Sequence, residues 1–347
     1  MTRASRMAYG ASAVAVLGGG AVCGLGLGFD REAVLRGWLA GWAFWIGFPV
    51  GAVMLLLAHD LTGGRWGDAT KAPLKALATT LPVAALAFVP VLLSLPDLYP
   101  WARPEEAAKL PNTFYLNTPF FLARAAACFA AWALLAVLAG RGKSFAAPGL
   151  IVMGVTATFA SFDWLMSIEP DWGSSIYGML VISGFLLTAL AAAALAASAA
   201  PSVGESPRRD LGSLLIAAIL LWAYLSFMQF LIVWEADMPT EITWYLKRLE
   251  GGWEWAALAV FLAQGLLPFL ALLWPRVKRS RRGLAAVCVL LLAAHLLESW
   301  WLVLPGFDAT GMTWFAPAAT LAIGGLSAAL FLWRLDAGRP DAGVRHG

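Results

Sequence analysis

Long apolar runs separated by short polar turns fill nearly the whole of this 347-residue chain. A helix needs about 20 apolar residues to cross a bilayer's hydrocarbon core. Ten segments meet that length: 8–28, 38–58, 74–95, 119–139, 147–168, 174–198, 211–234, 253–274, 284–304 and 314–333. The pattern predicts an all-α integral membrane protein with ten transmembrane helices. Residues 1–347 would form one membrane domain, ending in a polar tail over 334–347. The two longer polar connections, 96–118 and 235–252, leave no stretch for a soluble domain. Pro82 and Pro90 are expected to interrupt the third helix and Pro268 the eighth, because proline lacks the helical N–H and crowds the preceding turn.

Composition agrees with the pattern. The chain is 61% hydrophobic and 13% charged, whereas soluble domains carry roughly 25% charged residues. The first apolar run follows Arg3 and Arg6, is long for a signal peptide, and lacks a small-residue cleavage site after it. It reads as an uncleaved first span. Cys23, Cys128 and Cys288 stand singly, with no disulfide or metal spacing.

Lysine and arginine in the connections set the orientation. With the N-terminus in the cytoplasm, the inner side holds Arg65, Lys71, Lys75, Arg141, Lys143, Arg208, Arg209, the 276–282 loop and Arg334, Arg339 and Arg345. The outer side holds far fewer cations and is acidic, with Glu105, Glu106, Glu169, Asp171, Glu235, Asp237, Glu241, Glu250 and Asp308. Both termini are then expected in the cytoplasm. Glu169, Asp171, Glu235 and Asp237 are candidates for a proton exit or a docking face, although solvated loop charge explains most such residues. Tryptophans at the same edge, among them Trp101, Trp172, Trp234, Trp244, Trp253, Trp255, Trp300, Trp301 and Trp314, are expected to form an interfacial belt.

The informative residues are polar ones inside the spans, which are costly and mostly functional. Arg124 and Asp163 lie on adjacent antiparallel spans, both roughly 7–8 Å from the outer edge. An ion pair is the simplest way to hold both in lipid. Thr156 and Ser167 fall on the Asp163 face. His295 and Glu298 share a face of the ninth span at i, i+3, with Ser299 beside them. Gln229, with Trp222 and Ser226 on its face, and Gln264 complete an expected outer-half polar cluster. For the two glutamines, interhelical hydrogen bonding is the blander reading. His59-Asp60, at the inner end of the second span, reads equally as a helix cap or a route for protons.

Histidines at unmatched depths disfavour a haem. No cysteine cluster, phosphate loop or zinc helix appears, so no haem, iron–sulfur or metal site is expected in this chain, and nothing suggests nucleic acid. A carboxylate and an imidazole near the outer surface suit a quinol head group or a proton relay. Quinol oxidation releases two protons and so needs a base. Its electron acceptor would have to come from a partner.

Residues 161–172, Ser-Phe-Asp-Trp-Leu-Met-Ser-Ile-Glu-Pro-Asp-Trp, resemble a motif of the F-type membrane subunit of alternative complex III. Residues 221–234, Leu-Trp-Ala-Tyr-Leu-Ser-Phe-Met-Gln-Phe-Leu-Ile-Val-Trp, resemble a second motif of that family. Shorter matches occur at 59–67, 115–121 and 251–255. The family is similar to the NrfD-like membrane subunits of polysulfide reductases. The resemblance implies two four-helix bundles, spans two to five (38–168) and six to nine (174–304), flanked by the first and last spans. It implies a quinol:electron-acceptor oxidoreductase with an iron–sulfur protein, a c-type cytochrome and a sister quinol-binding membrane subunit as partners. It also implies a proton path or a second quinone site involving Asp163, Gln229 and His59. Asp171 departs from the family, which often has histidine there. Two alternatives stay open: a structural anchor subunit without its own quinone site, and a proton-coupled secondary transporter.

Overall fold

The structure is a computed structural model that describes residues 3–110, 112–307 and 313–337. Asp308, Arg339 and Arg345 lie outside the described residues. Among those described, every regular element is helical, and ten helices are long and apolar enough to cross a membrane. They are α1 (Arg3–Gly26), α2 (Arg31–Thr62), α3 (Arg65–Leu93), α4 (Thr118–Leu138), α5 (Lys143–Trp164), α6 (Tyr177–Ala199), α7 (Glu205–Ala236), α8 (Trp253–Leu273), α9 (Arg281–Val303) and α10 (Phe315–Ala337). A short helix, Pro239–Lys247, lies between α7 and α8. The chain is a multi-pass α-helical membrane protein.

Several helices run past their apolar segments, because polar residues finish the ends. The Asp30 carboxylate accepts from the Ala33 N–H at 3.0 Å and starts α2 at Arg31 rather than 38. Asn117 caps α4 through the Phe120 N–H at 3.0 Å, and Ser280 caps α9 through the Gly283 N–H at 3.2 Å. Such caps satisfy amides that the first turn leaves without a helical partner.

The prolines act unequally. α3 breaks once, between Ala78 and Leu81, just ahead of Pro82. There the Thr79 and Thr80 hydroxyls donate to the Ala76 and Leu77 carbonyls at 2.7 Å. Pro90 sits inside the second piece, which ends at Leu93; contrary to expectation it makes no break, since only a short turn follows it. Pro268 produces a different interruption. It offers no N–H to the Gln264 carbonyl and crowds it, and residues Phe261–Leu266 open into a π-helical turn.

α2 is the most enclosed helix and packs against α3, α5, α6, α9 and α10. α6 packs in turn against α2, α5, α7 and α9. The seam between α2 and α6 is close because of glycine: a Cβ at Gly51 would lie 2.1 Å from the Phe185 carbonyl oxygen. α1 rests mainly on α10, and α10 on α2. An aromatic core fills the space around α5, where Trp164 meets Trp42, Phe88, Phe129 and Trp132 at centroid distances of 4.9 to 5.5 Å.

Candidate functional site

Arg124 on α4 and Asp163 near the end of α5 meet as the sequence predicts. Arg124 Nε donates to Asp163 Oδ2 at 2.7 Å and Nη2 to Oδ1 at 2.9 Å. This two-pronged geometry is the strong form of an arginine–carboxylate contact. Nη1 donates to the Tyr115 carbonyl at 3.0 Å, and the guanidinium lies 3.9 Å from the Tyr115 ring and 4.2 Å from that of Phe120. Asp163 is 1% exposed. The neighbouring hydroxyls serve the backbone and the indoles instead. Ser167 Oγ donates to the Asp163 carbonyl at 2.5 Å and accepts from Trp101, while Thr156 accepts from Trp132 at 2.8 Å. Thr156 therefore belongs to the aromatic core, not to the carboxylate.

Glu298 on α9 is the centre of a second cluster. Its Oε1 accepts from Trp222 Nε1 of α7 at 2.6 Å. Its Oε2 accepts from Gln264 Nε2 of α8 at 2.6 Å and lies 2.8 Å from His295 Nδ1. Trp222 and the Gln264 amide are donors, and a ring N–H on His295 makes a third, so the set matches a carboxylate acceptor. The π-helical turn of α8 contains Gln264 and directs it to Glu298. His295 Nε2 is buried with no hydrogen-bond partner in the structure, as is Gln264 Oε1. The imidazole fits because residue 184 on α6 is glycine: a Cβ there would lie 2.8 Å from His295 Cε1. Beside the ring is a small cavity of about 20 Å³, lined by Ala43, Leu165, Gly184, Phe185, His295 and Glu298 among others. That is room for one water molecule.

The expected single cluster is thus divided. No hydrogen bond or ion pair among the described residues joins Arg124–Asp163 to His295–Glu298. They approach through Leu165, two residues beyond Asp163, which lines the cavity beside His295. Gln229 stands apart from both. Its Oε1 accepts from Ser174 at 2.6 Å, and its buried Nε2 has no partner in the structure.

At the end of the molecule with the basic loops, His59 Nε2 lies 3.1 Å from the Gly64 carbonyl oxygen, and Asp60 Oδ2 accepts from the Gly140 N–H at 2.6 Å. The pair ties two turns together.

At the opposite end the acidic residues differ among themselves. Asp171, Glu235 and Asp237 are exposed, and Asp237 closes α7 with a left-handed backbone, φ 48°. Glu169 is no free surface carboxylate. It receives Arg248 Nη2 at 2.8 Å, with Lys247 Nζ at 3.7 Å. Arg248, which the sequence presents as loop charge, is 2% exposed. Its Nη1 donates to the Trp244 carbonyl and its Nη2 to that of Leu302, while the guanidinium lies 3.7 Å from the Trp244 ring. Burial pulls the Arg248 pKa down, and Glu169 opposes that shift. The only sequence signal for this site is Trp244 four residues before Arg248. The expected tryptophan belt is corrected accordingly. Trp234, Trp255 and Trp314 are exposed, but Trp101, Trp172, Trp244, Trp253 and Trp300 are buried. Trp172 stacks on Trp244 at 4.7 Å, and Trp244 carries the Arg248 guanidinium on its ring.

Fold and site together define a class: a polytopic α-helical membrane protein whose buried carboxylates among the described residues, Asp163 and Glu298, are each matched by basic, indole or amide groups. Neither the family models nor the curated proteins compared with the chain match it.

Proposed function

We propose that this chain is the membrane subunit of a quinol-oxidising respiratory complex and handles protons beneath its acidic face. The reading takes the basic end as cytoplasmic, following the positive-inside rule, and the membrane as a bacterial inner membrane. The resemblance of residues 161–172 and 221–234 to the F-type subunit of alternative complex III supports it. Those two stretches supply Asp163, Gln229 and Trp222, and Trp222 donates to Glu298.

The observation that carries the reading is Glu298 held by three donors from three helices, with His295 Nε2 left for a further partner. A quinol gives up two electrons and two protons on becoming a quinone. In this proposal the electrons pass to an iron–sulfur or c-haem partner and His295–Glu298 takes up a proton. The Arg124–Asp163 pair, joined by two hydrogen bonds, braces α4 against α5 at a similar depth.

The test is quinol-dependent electron transfer and proton release in the purified native complex. Glu298→Gln is expected to lower turnover by about 10²-fold, the low end for removing a general base, while the subunits still co-purify. Unchanged turnover and proton release in both Glu298→Gln and Asp163→Asn would leave the structural-anchor reading in its place.

A further inference from the structure

Two apolar grooves and a polar mouth lie together at the basic end of the molecule. α3 carries Lys75, Ala78, Thr79, Pro82 and Ala85 down one side. Facing them on α4 are Phe129, Ala130, Ala133, Ala136, Val137 and Ala139. Between the two rows runs an open apolar groove of about 690 Å³. Alanine makes it, because larger side chains at 130, 133 and 136 would fill it. A second apolar groove, about 340 Å³, lies on the other side of α3 at Leu77 and Thr80, against Ala192 and Ala196 of α6 and Phe331 of α10. Both reach a polar mouth of about 740 Å³, which shares Lys75 and Arg334 with the first groove and Ala196 with the second.

The charged residues lining the mouth are Arg65, Asp68, Lys75 and Arg334. Arg65 is engaged by Asp210 at 3.2 Å, and Asp68 lies 4.0 Å from His59. Lys75 and Arg334 are exposed and make no ion pair among the described residues. α7 begins at the same mouth with Gly204 as its cap, and Glu205 of its first turn pairs with Arg279 at 3.3 Å.

Length decides what kind of occupant fits. From Lys75 to Ala85 the groove follows α3 for roughly 15 Å, at 1.5 Å per residue. From Phe129 to Ala139 on α4 it spans about the same distance. That is one leaflet of a hydrocarbon core about 30 Å thick. A partner's transmembrane helix would need both leaflets, and a neutral quinone head group gives the two cations nothing to neutralise. Two apolar grooves meeting at one cationic mouth match two acyl chains and one phosphate.

We infer that Lys75 and Arg334 bind the phosphate of an anionic diacyl phospholipid whose chains lie in the two grooves flanking α3. The inference needs only the membrane setting and is independent of any quinol chemistry.

Native mass spectrometry of the full-length protein in detergent, with added phosphatidylglycerol or phosphatidylcholine of identical chains, tests it. Retention of phosphatidylglycerol alone is expected. Lys75→Gln with Arg334→Gln should lower that retention about 25-fold, each cation near an anionic head group being worth about fivefold. Control changes at Lys71 and Arg276, also exposed at the basic end, should leave it unaltered. Ala133→Phe, which keeps the charges, should displace the lipid by filling the groove, so the test survives if the double variant fails to fold. Equal retention of the two lipids, equal protection against heating by inorganic phosphate alone, or a co-purified quinone or partner helix occupying the groove would overturn the inference.

Discussion

Each buried charge in this protein is met by a specific partner, and that decides what a substitution does. Arg248 is the most enclosed, with two carbonyls, one carboxylate and an indole face around it. Replacing it by methionine leaves Glu169 half-buried, with Lys247 Nζ at 3.7 Å still beside it. Breaking a buried pair from one side costs about 3–5 kcal/mol, and the Arg248→Met protein should melt correspondingly lower in detergent. The double change Arg248→Met with Glu169→Gln should recover part of that loss, which a double-mutant cycle measures. The sequence placed Arg124 opposite Asp163 because depth counted in residues is nearly exact for straight helices. It left Arg248 among the loop charges because a connection has no such ruler. His295 with Glu298 was legible as an i, i+3 pair. That Trp222 and Gln264 converge on the same carboxylate depends on how three helices pack.

Among the elements, glycine and proline set the geometry that the polar residues use. The π-helical turn before Pro268 determines where Gln264 points. Pro268 announced an interruption, but not whether it would be a break, as in α3, or a widened turn. Gly51 and Gly184 act by omission. Gly51→Leu would drive a side chain into the α6 backbone near Phe185, and the expected result is loss of monodisperse protein in size-exclusion chromatography. Gly184→Ala is milder. Its methyl group would crowd the His295 ring, tilting it from Glu298. The expected readout is an altered histidine resonance with the fold retained, together with a smaller drop in turnover than Glu298→Gln gives.

Over the whole molecule, charge is separated between the two ends, and the helices' apolar surfaces remain outside. Leu17, Leu93, Leu134, Ile151 and Phe261 are exposed on different helices, as a lipid-facing surface requires. On the proposed orientation, a single cysteine at Ser280 should be labelled by a membrane-impermeant maleimide only from the cytoplasmic side. One at Asp171 should be labelled only from outside. The reverse pattern would invert the proposed direction of proton release.

By itself the sequence determined the ten apolar helices and the place of each intrahelical polar residue along its helix. Hydrophobic length and the rise of a helix are local quantities that hold whatever the neighbours do. Tertiary structure alone decided that the polar residues form separate groups, that Arg248 is interior, that most outer-edge tryptophans are core, and that alanines on α3 and α4 leave a groove. Those facts depend on the rotation of each helix about its axis and on which helices touch. In a chain apolar on every side, no periodicity along the sequence specifies either.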